Sequence, residues 1–317
     1  MRVLVTGITG FAGSHLTELL LAEDGVEVIG LGRQARWPNG LEGLGRQVQL
    51  VACDMADAAT IQALIRSVEP VCIYHLAGYP HSGRSVREIE AAWTGNLVAT
   101  RNLYEAVVQW GGNPRILYVG SGLIYGDPES TDQAFDERSP LKPTTPYSAS
   151  KAAADLASYQ YTRSPGLTII RARPFNHIGP RQSAEFAVAH FARQIAAIER
   201  GAQPPWLETG NLTPRRDLTD VRDVTRAYAL LMVKGRAPEA YNIGSGTTWS
   251  MQEVVDRLIS LSAVRVEVRQ RPDLVRATET AQVRADSSKL RLETGWTPTV
   301  SLDQSLADTL DYWRSVP

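Results

Sequence analysis

The chain has 317 residues, with 33 basic against 34 acidic side chains, a formal charge of −1 and an apolar fraction of 43%. That size and core-forming content suit one large α/β domain with an appended lobe, or two domains, and the balanced charge excludes the basic footprint of a nucleic-acid binder. Two cysteines, Cys53 and Cys72, make no disulfide framework, no metal-ligand spacing is present, and neither a leader-like N-terminus nor a membrane-length apolar run is seen, so a cytoplasmic protein is expected.

Short apolar runs alternate with amphipathic stretches through the first half. Strands are expected at Val3–Thr6, Glu27–Leu31, Val48–Ala52, Val71–Leu76, Arg115–Gly120 and Thr168–Ala172. Helices are expected at Gly13–Glu23, Ala59–Val68, Ala92–Gln109 and Tyr147–Tyr161. Strands alternating with helices imply a parallel sheet covered on both faces. Beyond Arg173 the pattern loosens into a stretch rich in proline, glycine and polar residues around a helix at Phe186–Arg200. A helix at Asp220–Val233, a strand at Ala240–Ile243, an amphipathic helix from Met251, a strand at Val264–Val268 and a last helix at Leu302–Trp313 complete the chain. This divides it into 1–173 with about 217–245, and a smaller lobe of 174–216 with 246–317, the cleft lying between them.

Gly7, Gly10 and Gly13 follow the first strand, with Phe11 and Ala12 between the last two. Their positions suit a tight turn, a close backbone approach and a helix N-terminus aimed at a pyrophosphate. The alternative is a turn that only needs positive φ. Together with the strand–helix alternation, the motif gives a Rossmann-type doubly wound parallel sheet. An NAD site usually carries an acid at the end of the second strand. Here Leu31-Gly32-Arg33-Gln34-Ala35-Arg36 has none and offers two arginines, which suit a 2′-phosphate. NADP is therefore the expected cofactor, with NAD as the alternative, unless Arg33 is a solvated loop residue. Asp54, beside Met55, can accept from an adenine amino group or cap its own turn.

Tyr147 and Lys151 stand at i and i+4, on one face of a helix, downstream of Ser121. An ammonium beneath a phenol is expected to lower its pKa, giving a proton donor and acceptor for a sugar hydroxyl or carbonyl.

These pieces, with His75-Leu76-Ala77-Gly78, Asn96, Arg173–Gly179, Arg216-Asp217 and Gly295–Pro298, run almost end to end in order. The chain resembles the extended short-chain dehydrogenase/reductases that act on nucleotide sugars. The resemblance implies that Ser121, Tyr147 and Lys151 are catalytic, and that Leu76, Ala77, Gly78 and Asn96 join the glycine turn, Arg33, Asp54 and Met55 around the cofactor. It implies that Asn176 touches the substrate, that Arg216 and Arg276 clamp its diphosphate, and that Glu279 holds a ribose or a neighbouring arginine. It also implies a homodimer through the Asn96 and Tyr147 helices. A salt bridge of Arg216 with Asp217 or Asp220 is the plainer alternative. His75 reads as a core histidine; His177 either faces the substrate or packs.

Reduction, 4-epimerisation and 4,6-dehydration share this triad. Dehydration also needs an acid pair after the catalytic hydroxyl, and Gly122-Leu123 supplies none, leaving only a loop acid such as Glu129. Epimerases of the family hold NAD through the missing carboxylate. Reduction by a consumed NADPH is therefore expected. Arg173–Pro180, Gln182-Ser183 and Phe191–Ile195, including Arg193, resemble the GDP-6-deoxy-4-keto-D-mannose reductases. That likeness implies a GDP-linked sugar held in part by Gln182, Ser183 and Arg193, and GDP-D-rhamnose as product.

Overall fold

A computed structural model describes residues 1–38, 40–130, 132–275 and 282–316. Its strands are β1 (Arg2–Thr6), β2 (Glu27–Gly32), β3 (Gln49–Ala52), β4 (Cys72–His75), β5 (Arg115–Val119), β6 (Ile169–Pro174), β7 (His177–Ile178), β8 (Trp206–Thr209), β9 (Arg215–Asp217), β10 (Thr219–Asp220), β11 (Ala240–Ile243), β12 (Thr248–Ser250), β13 (Glu267–Gln270) and β14 (Gln282–Val283). Its helices are α1 (Phe11–Leu21), α2 (Ala58–Val68), α3 (Ile89–Trp93), α4 (Ala99–Trp110), α5 (Pro146–Arg163), α6 (Ala187–Glu199), α7 (Val221–Lys234), α8 (Met251–Ser260), α9 (Ser288–Thr294) and α10 (Leu302–Ser315).

Among the described residues, seven strands form one parallel sheet in the order β11-β6-β5-β4-β1-β2-β3. Alternation along β1 shows why it is covered twice. Val3 and Val5 pack with Leu16, Leu20, Tyr228 and Leu231 on one face. Leu4 packs with Ile61, Ile73, Leu103 and Ile116 on the other. Strand order reverses beside β1, whose neighbours are β2 and β4, and the crevice at the carboxyl ends there is the usual dinucleotide position. A third cluster joins Ile178, Phe191, Ile195, Leu207, Val254, Leu258 and Leu310, binding α6, α8 and α10 together.

Three expectations change. The strand expected at Val264–Val268 lies at Glu267–Gln270, where it pairs in parallel with β8. Its backbone partner, not its own apolar alternation, sets its position. The single helix expected at Ala92–Gln109 is α3, a π-helical turn at Thr94–Val98, and α4. α9 and the two- and three-residue strands of the second half lie outside the sequence reading, because such short segments carry no readable period. Among the described residues no helix is long and apolar enough to cross a membrane.

Candidate active site

Thr145 and Ser148 form a reciprocal capping box with Pro146 at the first helical position, so α5 starts firmly one residue before Tyr147. Lys151 lies one turn on, 7% exposed. Its Nζ donates to the Val119 carbonyl at the end of β5 (3.0 Å) and lies 5.7 Å from the Tyr118 ring centroid. Burial lowers its pKa from 10.5 to about 8. Ser121 caps the short turn Gly122–Tyr125, its Oγ accepting from Leu123 N (3.1 Å). Tyr147 is hydrogen-bonded to Ser121.

The phenol is not the acidic group that the Tyr–Lys spacing implies. Burial raises the Tyr147 pKa, and the bond to Ser121 only partly offsets that. The ammonium spends its bond on a carbonyl, and the phenol keeps its proton more tightly than a free tyrosine.

The π-helical turn carries Asn96, which is 1% exposed. Its Oδ1 accepts from Tyr79 N (2.9 Å) and its Nδ2 donates to Ser150 Oγ (2.9 Å), tying the loop after β4 to α5. A Cβ on Gly78 would stand 2.7 Å from Asn96 Oδ1 and 3.2 Å from Lys151 Nζ, so a larger residue there would have to push the Asn96 amide aside. His75 bridges Thr6 Oγ1 (2.7 Å) and Thr100 Oγ1 (2.9 Å). Burial, with the Lys151 charge adding, pushes its pKa to about 3, as suits a neutral core histidine.

One anchor escaped the sequence reading. Asp155, fully buried on α5, receives Arg171 Nη1 (2.6 Å) and Arg173 Nε (2.9 Å) and Nη2 (2.7 Å) from β6. Arg173 also donates to Tyr125 Oη (2.8 Å) in the turn after Ser121. This network fixes the height of α5 against the strands that carry Ser121. Its readable signal is that Asp155 follows Lys151 by four residues and Tyr147 by eight, on the same helix face.

The glycine turn fits an anionic dinucleotide. Gly7 has φ +70° and abuts Ala77, whose N donates to Thr6 Oγ1 (3.0 Å). Leu76 N donates to the Thr6 carbonyl (3.2 Å). A Cβ on Gly13 would lie 2.3 Å from the Gly7 carbonyl oxygen. Gly10 caps α1, no side chain caps its first turn, and no acid stands there. The early amides of Phe11, Ala12 and Gly13 therefore point at an uncapped, electropositive end. Arg33 is exposed at the end of β2. Asp54 Oδ1 accepts from Ala56 N (2.9 Å), the turn-capping alternative, and Asn102 Nδ2 holds the Met55 carbonyl (3.2 Å).

On the opposite wall, half-buried Asn176 accepts from Thr219 N through its carbonyl (3.0 Å). Gln182 is buried, its Nε2 donating to the His177 carbonyl (2.8 Å) while its Oε1 has no partner. Ser183 is exposed and caps a turn, accepting from Glu185 N (3.3 Å). His177 packs: its ring stacks on Phe11 with centroids 5.7 Å apart. Arg193 is exposed on α6 and lines a cavity of about 370 Å³ with Arg200 and Trp313. Arg216 Nη1 donates to the Arg215 carbonyl (2.9 Å). Asp217 is committed to Ser245, Gly246 and Ala285 amides. Arg276 and Glu279 lie outside the described residues.

The loop acid does not reach in. Glu129 is exposed and pairs with Lys142 (2.8 Å). A Cβ on Gly122 would meet the Phe175 ring at 2.6 Å, so no carboxylate fits that position unless Phe175 moves.

The family model described as GDP-mannose 4,6 dehydratase matches residues 4–309. The GDP-6-deoxy-D-mannose reductase of Pseudomonas aeruginosa is 33% identical, over 99% of this chain and 97% of that protein. A dTDP-glucose 4,6-dehydratase of Streptomyces niveus is 30% identical, over 99% of this chain and 93% of that protein. The solved structure of RMD from Pseudomonas aeruginosa complexed with NADPH superposes with a TM-score of 0.87 at 32% identity, covering 99% of each chain. UDP-glucose 4-epimerase from Thermus thermophilus in complex with NAD superposes at 0.89 and 30% identity, covering 100% of each. The chain belongs to the GDP-mannose 4,6-dehydratase family and is an enzyme of its NAD(P)-dependent nucleotide-sugar oxidoreductase type.

Proposed function

We propose that this chain reduces the C4 keto group of a GDP-4-keto-6-deoxy sugar with NADPH, forming GDP-6-deoxy-D-mannose (GDP-D-rhamnose). The observation that carries the reading is the Ser121–Tyr147 pair above buried Lys151, followed by a turn with no acid and no room for one at Gly122. The likeness to a reductase over nearly the whole chain supports it.

The glycine turn would hold NADPH, which would supply the hydride. The protein supplies the rest. Ser121 holds the reacting oxygen beside the phenol. Tyr147 delivers its proton to the oxygen as C4 is reduced, a direction suited to a phenol that retains its proton. Lys151 stands below, able to restore the proton through its own low pKa. Gly7, Gly10, Phe11, Ala12 and Gly13 would hold the pyrophosphate, Arg33 the 2′-phosphate, and Leu76, Ala77, Gly78 and Asn96 the nicotinamide side. Asn176, Gln182, Ser183 and Arg216 face the nucleotide sugar. In this reading 1–173 with about 217–245 binds NADP, and 174–216 with 246–317 binds the sugar nucleotide in the cytoplasm. Leu156 and Tyr159 of α5, 56% and 43% exposed, support a second copy docked on that helix.

Purified protein given GDP-4-keto-6-deoxymannose should oxidise one NADPH per sugar; no oxidation with either reduced cofactor removes the proposal. The likeness to an NAD-bound 4-epimerase keeps a second reading. An epimerase retains its nucleotide, so tightly held NAD released on denaturation would favour it.

A further inference from the structure

Loop 79–88, after β4, and turn 183–186, before α6, lie about a hundred residues apart in sequence and meet in one cluster of polar contacts. Glu185 is its centre. His81 Nδ1 lies 3.0 Å from Glu185 Oε2. Arg84 Nη1 donates to both Glu185 oxygens at 3.1 Å. The His81 ring stacks on Phe186 with centroids 5.7 Å apart. The loop is anchored to the catalytic floor: Tyr79 N donates to Asn96 Oδ1 (2.9 Å), Tyr79 Oη donates to Glu88 (2.7 Å), and Arg84 pairs with Glu88 (2.7 Å). The turn carrying Glu185 follows Gln182 and Ser183 directly and opens α6.

We propose that His81, Arg84 and Glu185 form a strap across the mouth of the catalytic cleft, opening to admit and release the nucleotide sugar; this rests on that cleft being where the sugar binds. The contrast with Asp155 decides between a strap and a structural clamp. Asp155 and its arginines are buried, and a buried pair resists breaking. Arg84 and Glu185 are each about half exposed, 53% and 48%. Exposed ion pairs are weak and screened by salt, so they close a cleft without locking it. The strap's ends also sit on opposite functional walls, one tied to Asn96 beside Lys151, the other to the segment of Gln182 and Ser183.

The test is a double-mutant cycle read by hydrogen exchange on the full chain: Glu185→Gln, Arg84→Gln and the pair. Glu185→Gln should speed exchange in both 79–88 and 183–190 by about two- to fivefold, the scale of an exposed charged contact. Arg84→Gln should do so less, and the double variant no more than Glu185→Gln. Global melting should stay unchanged. Stopped-flow release of GDP from the NADPH complex should quicken by a similar factor. No change in exchange, a change confined to the mutated segment, or additive effects would each overturn the strap. If GDP fails to bind wild type while the exchange cycle behaves as stated, the strap stands and the substrate reading falls.

Discussion

Replacing Lys151 with methionine should stabilise the free protein while abolishing catalysis. The Lys151 pKa falls from 10.5 to about 8 on folding, through burial. At about 1.4 kcal/mol per pKa unit, keeping that buried ammonium charged at pH 7 costs about 3 kcal/mol. Methionine matches the stem without the charge, and loses a hydrogen bond to Val119 that contributes about 1 kcal/mol. The net gain is about 2 kcal/mol, or a rise of about 4 °C in melting temperature for a chain of this size. Because the folded pKa lies below the unfolded one, the unfolded chain holds more protons between pH 8 and 10.5, and wild-type stability recovers as pH climbs through that window. By pH 10 the penalty is below about 1 kcal/mol and the advantage of the variant should vanish. Scanning calorimetry of nucleotide-free wild type and Lys151→Met at pH 7 and pH 10 measures this. A variant that melts at or below wild type at pH 7, or a gap that does not change with pH, refutes the reasoning.

Tyr147→Phe should cut turnover by about 10²- to 10⁴-fold while NADPH still binds, as fluorescence titration would show. Gly13→Ala places a methyl 2.3 Å from the Gly7 carbonyl; NADPH affinity should fall at least tenfold, measured by calorimetric titration. Asp155→Ala strands two buried guanidinium groups and should destabilise by about 3–5 kcal/mol in urea unfolding.

Local chemistry was legible in the chain itself. Gly7, Gly10 and Gly13 after an apolar strand, and Tyr147 and Lys151 one turn apart, announce themselves by spacing alone, as does the missing acid at Gly122-Leu123. What escaped depends on partners distant in sequence. Lys151 faces the Val119 carbonyl, and the burial that raises the Tyr147 pKa comes from packing, not from the helix face. Asp155 gains its meaning only beside Arg171 and Arg173. The strand expected at Val264–Val268 slid to Glu267–Gln270 because β8 dictates its register.

The central claim is that hydride passes to a sugar carbon and stays there. NADPH carrying deuterium at its reactive nicotinamide carbon, mixed with GDP-4-keto-6-deoxymannose and wild-type protein, should yield a product with one deuterium at C4 and an equal amount of NADP. Recovery of the 4-keto sugar with the NADPH unconsumed, or a C4 alcohol that carries no deuterium, would contradict it.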